Sequence, residues 1–559
     1  MGEKGAGVKV HAVVLSTAGN QNYIFGSNKR RENVGASHLI TCVEDEWLDR
    51  ALAEAGVADV DGRQQRVEEH GIEVVTANAG GVTMLVRDSE VGKRVVGTIT
   101  EAALREAPGL DVCGAVGEAF EWGIAQELAQ GIADARELLV VARASRRGPR
   151  LRFPGVPIAA RCGSSGLPAQ RVVAFHQERR PQAGGFRKDR PPEARSAPSL
   201  AKLDAFDPAL RRLAVKMGLC GENDESQKAA ALRKLSAIVD HLNDKAEWVA
   251  VVHADGNGMG RVFQRFASIL DPEGNKPAGE YTEGLRNLSE GVDECAREAF
   301  RSAFANLRRD GRTMDLAEPP VLPLILGGDD LTVVCDGELA LPFARDYLEE
   351  FTRLANEHAA VGGVLRQVED LRGLGACAGV AIVKRPYPFH SAVHLAEQLA
   401  SEAKVVKKEL GQDKSALSFH VLYESAFADL HRLRAQQTLA DEGTCLTGQP
   451  YVVGEAGDAE WALHRRWADL ERRVAALTEK NDETLVISAS QTNELRSALF
   501  RGRKAAESRL NVVSTWLGKD AVQGLADDGS LFWPDGSVHR TGLLDALNAA
   551  PFLGSKGRT

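Results

Sequence analysis

Apolar positions along this chain switch between a period of two and a helical period, and the switch occurs in the same order twice. Residues 8–16, VKVHAVVLS, alternate and are β-branched, which predicts a strand. Apolar spacing then predicts a helix entered through Gly35, Ala36 and Ser37 and running to about residue 55. Residues 71–88, GIEVVTANAGGVTMLVRD, read as strand, Gly-Gly turn, strand. A helix over 91–107, a strand at LDVCGAV and a helix from Glu118 to about Ala135 follow. The order returns with a buried-type strand from Trp248, a long helix over 280–307 and the hairpin PVLPLILGGDDLTVVCD at 320–336. A helix over 339–358, a small-residue strand at 375–383 and a Pro-bounded amphipathic helix ending in Lys404, Lys407 and Lys408 come next, then a strand at 415–422. The repeat predicts an α+β chain built by duplication of a βαββαβ unit. The Val82-Thr83 pair after Gly80-Gly81 is read opposite Asp329-Asp330 after Gly327-Gly328, so that one copy carries acids and the other does not.

Between the copies the pattern lapses. Residues 143–200 are rich in Arg, Pro and Gly and predict an irregular linker with a basic loop near Arg179 to Arg195. Arg143, Arg146, Arg147, Arg150 and Arg152 form the densest basic run, open to two readings: phosphate contacts or a solvated, charge-balanced linker. Residues 207–244 read as two helices, TCLTGQPYVV as a short strand-like insertion, and the chain from Glu460 onward as helical apart from a turn at FWPDGS. Four segments result: 1–135, 136–245, 246–455 and 456–559.

Composition narrows the picture little. With 559 residues, 43% hydrophobic and 26% charged, the chain is an ordinary multidomain globular protein. A formal net charge of −9 excludes global basic character, so any nucleic-acid contact needs local patches. Eight scattered cysteines without a CxxC argue against a disulfide scaffold and a zinc ribbon. No secretory or membrane-spanning run is legible, and a reducing cytoplasm is expected.

The acids change the picture most. Asp329 and Asp330 cap an apolar hairpin after Gly327 and Gly328, and like charges there gain nothing by packing. The strand from Trp248 ends in Asp255 and opens into Gly256, Asn257 and Gly258, where backbone amides can cradle a triphosphate. If the two strands are neighbours, three carboxylates converge on magnesium, the constellation for two-metal nucleotidyl transfer. The plain alternative is a solvated turn, since Asp and Gly are common turn residues. In the first copy, Lys29, Arg30 and Arg31 beside the Gly35–Ser37 segment read either as an anion site or as a solvated turn. Lys404 and Lys408 either serve a helix C-terminus or present one cation to phosphates.

The DGN strand end paired with LGGDD, followed by CAGVAIV, YPFHSAVHLAEQLASEAK and LTGQPYVV, resembles the large polymerase/cyclase subunit of type III CRISPR effector complexes. YIFGSNKRRENVGASHLI, ANAGGVTMLV and FPGVPIAARCGSSGLPA resemble that family's degenerate first palm, its acid-free turn and its inter-palm segment. The resemblance implies two facing ferredoxin-like palms, a linker subdomain and a C-terminal helical domain. It implies two ATP molecules and two Mg (or Mn) ions, with Asp255, Asp329 and Asp330 as metal ligands and catalytic residues. Gly256, Asn257, Gly258, Gly327, Gly328, Lys404, Ser37 and Lys29 would line the nucleotides. The implied reaction joins ATP into cyclic oligoadenylates with release of pyrophosphate, in antiviral defence. CRISPR RNA and effector subunits are the implied partners, with no membrane. The alternatives are an RNA-binding scaffold subunit and a stand-alone cyclic nucleotide synthase using another NTP, and a homo-oligomer is a further partner reading. Three features depart from the family pattern. No His-Asp dipeptide precedes residue 8, so DNase activity is not expected. Cys162 alone remains of a four-cysteine zinc site, and Asn257 stands where many relatives have a second Asp.

Overall fold

The computed structural model describes residues 8–56, 66–155, 157–173, 192–221, 224–368, 373–423, 429–439, 443–481, 484–527 and 529–554. They fall into two compact units, one of residues 1–232 with 263–290, the other of 233–262 with 291–559.

The first unit is built on strand β1 (Lys9–Ala18), whose interior residues Val10, Ala12, Val13 and Leu15 are fully buried. Helices α1 (Asn20–Phe25), α2 (Arg30–Thr41), α3 (Glu46–Glu54) and the short α4 (Val67–His70) lead to the hairpin β2 (Ile72–Asn78) and β3 (Gly81–Val86). Helix α5 (Ser89–Glu106), N-capped by Asp88, and strand β4 (Asp111–Glu121) complete the unit. The strand order β2-β3-β1-β4, with β1 antiparallel to both neighbours, is that of a ferredoxin-like βαββαβ sheet. Three expectations are corrected. The expected helix through residue 55 is two helices, and Gly35 to Ser37 lie inside α2 rather than at its entrance. Gly35 is there for packing: a Cβ would stand 1.8 Å from the backbone oxygen of Lys202, in α7 (Ala197–Asp204). Residues 118–121 extend β4, and the next helix, α6 (Ala125–Ala144), starts later than expected. Here pairing decides, since Phe120 pairs with Val10 and its ring fills the space a Cβ on Gly131 would take.

The segment after α6 is irregular, with one short ladder of β5 (Arg171–Val173) and β6 (Glu193–Arg195). The basic run is mostly spoken for. Arg143 donates to Ser16 O at 3.0 Å, Arg146 to Val112 O at 2.8 Å and to Asp111 at 2.7 Å, and Arg152 lies 3.5 Å from Asp111. These arginines fasten the segment to the ends of β1 and β4. The Arg150 side chain and Arg179–Arg190 of the expected basic loop lie outside the described residues. Arg195, its last member, is buried and ion-paired with Glu32 at 2.6 Å and Glu193 at 2.5 Å.

Helices α8 (Phe206–Lys216) and α9 (Glu225–Asp240) precede the second copy. Its strand β7 (Trp248–Gly256) is followed by α10 (Met259–Leu270) and α11 (Ala278–Arg309). The hairpin β8 (Val321–Gly327) and β9 (Asp330–Asp336), helices α12 (Gly337–Glu357) and α13 (Ala359–Leu365), and strand β10 (Ala376–Lys384) complete the second βαββαβ copy. The order β10-β7-β9-β8 repeats that of the first copy, so the duplication is real. Pro323 sits in β8, an edge strand with a register shift beside it, where a missing N–H is tolerated. Beyond this core, α14 (Phe389–Ala403), the short α15 (Val406–Glu409) and β11 (Ser415–Leu422, parallel to β10) follow, with β14 (Tyr451–Val453) outermost. Phe343, Tyr347 and Phe351 stack along α12, and Phe300 of α11 meets Phe343 edge-on at 5.6 Å.

The C-terminal part is less purely helical than expected. Besides α16 (Leu430–Gln436), α17 (Trp467–Thr478), α18 (Ala489–Leu499), α19 (Arg503–Leu517), α20 (Lys519–Gln523) and α21 (Leu543–Leu553), it holds two small sheets. One contains β12 (Thr438–Leu439), β13 (Thr444–Cys445), β17 (Trp533–Asp535) and β18 (Val538–Arg540); the other pairs β15 (Lys480–Asn481) with β16 (Thr484–Leu485). The FWPDGS turn is therefore the tip of a true hairpin, paired with a strand about a hundred residues earlier in the chain, a partner no local pattern reveals. All eight cysteines are buried and unpaired. Among the described residues no helix is long and apolar enough to cross a membrane.

Strand β10 runs against α14 so closely that a Cβ on Gly379 would stand 2.0 Å from Ala396 O. Gly379→Ala is expected to cost about 1–3 kcal/mol or more, read as a lower urea midpoint. Gly363→Ala in α13, with open space around it, should leave the midpoint unchanged or raise it by at most about 1 kcal/mol. Equal midpoints for the two variants would refute this packing.

Candidate active site

Two strand ends and one hairpin turn bring the acids together. β7 is central, flanked by β9 and β10, and Asp255 near its end pairs directly across with Asp330, the first residue of β9. Asp329 occupies the two-residue turn with Gly328, whose φ of 62° is the left-handed conformation this position requires. The turn is tied down from both sides: Gly256 N–H donates to Asp329 O at 3.1 Å, and Gly328 N–H to the Asp293 carboxylate on α11 at 3.2 Å. Gly256 must be glycine for this approach, because a Cβ would lie 2.7 Å from that of Asp329.

Charge dominates the site. Lys404 forms an ion pair with Asp255. It can do so because α14 ends at Ala403 and Lys404 is its C-cap, so it does not share a continuous helical face with Lys408, as the sequence pattern suggested. Desolvation, followed by the charge of Asp255, pushes the Asp329 carboxyl up to about 6. Asp330, exposed at the rim, is also raised, by the protein mass behind it and then by Asp329 and Asp255. Lys407 is lowered by desolvation and then by Lys404. Among the described residues, the three carboxylates do not all bring an oxygen within 4.8 Å of one another. The donors nonetheless fit a hard divalent cation: all are carboxylate oxygens, two are cross-strand neighbours, and their charge is incompletely compensated.

The two copies superpose in register, and the superposition differs from the one the glycine pairs suggested. Ser16 pairs with Gly81 and Cys113 where Asp255 pairs with Asp330 and Cys377. Thr17 N–H donates to Gly80 O at 3.0 Å, as Gly256 does to Asp329. Gly80 and Gly81, not Val82 and Thr83, therefore occupy the places of Asp329 and Asp330. The first copy also lacks room for an acid, since a Cβ on Gly80 would lie 2.5 Å from the Thr17 hydroxyl.

The remaining sequence candidates are placed as follows. Asn257 is fully buried; its N–H donates to Gly375 O at 2.8 Å and its amide to Lys414 O at 2.9 Å. It anchors the loop, leaving Gly258 half-exposed at the start of α10. Gly327 is the last residue of β8, paired with Asp330. Lys29 is ion-paired with Glu193 at 2.5 Å, and Ser37 is half-buried on α2, both in the first unit. Sequence reasoning missed Asp293, because Asp293 and Arg297, 3.0 Å apart, look like an ordinary helix-surface pair. It also passed over Arg261, whose charge is felt by Lys407.

Strand order and the acid-bearing hairpin define a palm-type domain. Residues 248–416 match the family model for the second palm domain of Cas10/Cmr2. Among solved structures, the chain is similar to Csm1 from T. onnurineus, at 14% identity and a TM-score of 0.47, over 97% of this chain and 70% of that one. It is also similar to a Csm1-Csm4 cassette in complex with cA3, at 13% identity and a TM-score of 0.46, over 98% of this chain and 71% of that one. No curated protein matches the chain.

The raised Asp329 carboxyl sets a pH dependence. The folded state holds this proton more tightly than the unfolded chain, so its stabilisation is present below pH 4 and is lost as pH rises through about 6. The gap from the usual 3.8 amounts to at most about 3 kcal/mol. Metal-free Asp329→Asn should therefore be more stable than the parent at pH 7–8, with a flatter stability profile between pH 4 and 7. A lower melting temperature for that variant at pH 8 would contradict the assignment.

Proposed function

We propose that the second palm is a nucleotidyl-transfer centre that joins ATP molecules and closes them into cyclic oligoadenylate-type products, with release of pyrophosphate. The observation that carries this reading is the meeting of Asp255 and Asp330 across β7 and β9, with Asp329 in the adjoining turn and Lys404 against Asp255. In the reaction the 3′-oxygen of one nucleotide bonds to the α-phosphorus of another. The bond from that phosphorus to its β-bridging oxygen breaks, pyrophosphate leaves with the electron pair, and the hydroxyl proton passes to solvent. Asp255, Asp329 and Asp330 would hold Mg²⁺ or Mn²⁺, expected as two ions. Such ions, when bound, acidify the attacking hydroxyl and neutralise the leaving pyrophosphate.

The chain's own groups do the rest. Gly258 and the first amides of α10 present N–H groups to phosphate oxygens. Lys404, released from Asp255 as a cation takes its place, is free to pair with the triphosphate, and Arg261 and Lys407 add positive charge. Asp293 holds the Gly328 turn and with it the direction of Asp329. The scaffold reading draws little support from the basic run, of whose described members Arg143, Arg146 and Arg152 are committed within the first unit and Arg147 is exposed.

The test is incubation with mixed NTPs and Mg²⁺, with and without candidate target RNA, followed by pyrophosphate detection and mass spectrometry of small products. Adenine-containing cyclic oligonucleotides are expected; products from GTP would change the substrate, and no pyrophosphate under any condition would end the proposal. Asp329→Ala with Asp330→Ala should reduce turnover at least about a hundredfold, since several kcal/mol of charge stabilisation are removed. Their place in the turn and at the first, exposed position of β9 predicts no loss of melting temperature. Lys404→Ala should raise KM for ATP more than it lowers kcat.

A further inference from the structure

The first unit contains a second cluster of ligating side chains, unrelated to the acids. His38 lies on the last turn of α2, Cys42 directly after it, and Glu46 opens α3. One donor atom from each lies within 4.8 Å of the other two. His38 Nε2 is 3.9 Å from Cys42 Sγ. Two ligands on a tetrahedral zinc, at about 2.0 and 2.3 Å, stand about 3.5 Å apart, so a small closure completes the geometry.

Three further observations separate this cluster from ordinary packing. A satisfied core histidine donates to a carbonyl or carboxylate; His38 Nδ1 is buried with no hydrogen-bond partner. Glu46 is exposed and its carboxylate is free to turn toward the thiol. The cluster also lines a cavity of about 860 Å³, shared with Glu106, Gln170 and Arg171, which gives an ion a way in and a water room to complete the set.

We propose that His38, Cys42 and Glu46 form a binding site for a thiophilic divalent ion of the zinc class, with an open fourth position on the cavity. The mixed N, S, O donor set selects against Mg²⁺ and Ca²⁺, which take oxygen ligands. Binding forms a metal–sulfur bond and releases the Cys42 thiol proton to solvent. The site stands independently of the nucleotidyl-transfer reading.

The full chain, stripped with chelator and held in excess Mg²⁺ to occupy carboxylate sites, should be titrated with Co²⁺. A thiolate-to-cobalt charge-transfer band is expected at one ion per chain and should be bleached by one equivalent of Zn²⁺. It should vanish in Cys42→Ser and survive in Cys162→Ser. Glu46→Gln, at an exposed position that does not threaten folding, should weaken Co²⁺ binding about tenfold or more. No band in the parent chain, a band that survives Cys42→Ser, or unchanged affinity in Glu46→Gln would each overturn the site.

Discussion

The meeting of Asp255, Asp329 and Asp330 at one end of β7 and β9 is the constraint that the surrounding residues of the second palm serve. At one end of an otherwise apolar sheet, burial and then the neighbouring carboxylates raise the affinity of Asp329 and Asp330 for protons. The surrounding residues hold them in place. Gly256 lets the turn come close, Asp293 holds the Gly328 amide, and Asn257 pins the loop after β7 to the backbone of Gly375 and Lys414. The break in helix between Ala403 and Val406 turns Lys404 onto Asp255. Each of these residues has a local structural reason, and together they keep charge where packing alone would exclude it.

The first unit shows the same frame without that load. Ser16, Gly80 and Gly81 replace the acids in register, and the backbone bond from Thr17 to Gly80 matches the one from Gly256 to Asp329. Its turn has positive φ at both Ala79 and Gly80, whereas the acid-bearing turn has it at Gly328. The frame thus persists through backbone hydrogen bonds and strand order, and the chemistry is a matter of a few side chains at its end. The acid beside this turn has other work: Glu44 accepts the Gly80 N–H at 2.6 Å.

Much of the fold was legible because period-two and helical patterns alternate cleanly; β2, β3, β7, β9 and β11 lie where alternation and turn residues put them. The failures share a cause: a distant partner decided. Residues 118–121 look helical but pair with β1, Gly35 looks like a helix entrance but admits Lys202, and the strands at 533–540 pair with residues near 444. In the site, the acids and Lys404 were legible as isolated polar residues at the ends of apolar runs. Asp293 was not, since its sequence neighbour Arg297 explains it equally well. The cluster of His38, Cys42 and Glu46 was hidden for another reason: its spacing crosses a helix end, which pattern reasoning had placed elsewhere.

The adjacency of Asp329 and Asp330 itself has a physical consequence. Successive side chains of a regular strand point to opposite faces, so two neighbouring carboxylates within β9 could not serve one cation. The chain avoids this by placing the boundary between turn and strand between them. Asp330 keeps strand geometry and faces Asp255 across the ladder, while Asp329 belongs to the turn and swings over Gly256 instead. That division depends on Gly328 in a left-handed conformation and on Gly327 as the last residue of β8. Shifting the turn by one residue would return both acids to a single strand and separate them by the thickness of the sheet. The glycines are therefore as much determinants of the acid cluster as the acids are, and the order Gly-Gly-Asp-Asp follows from the geometry of one turn.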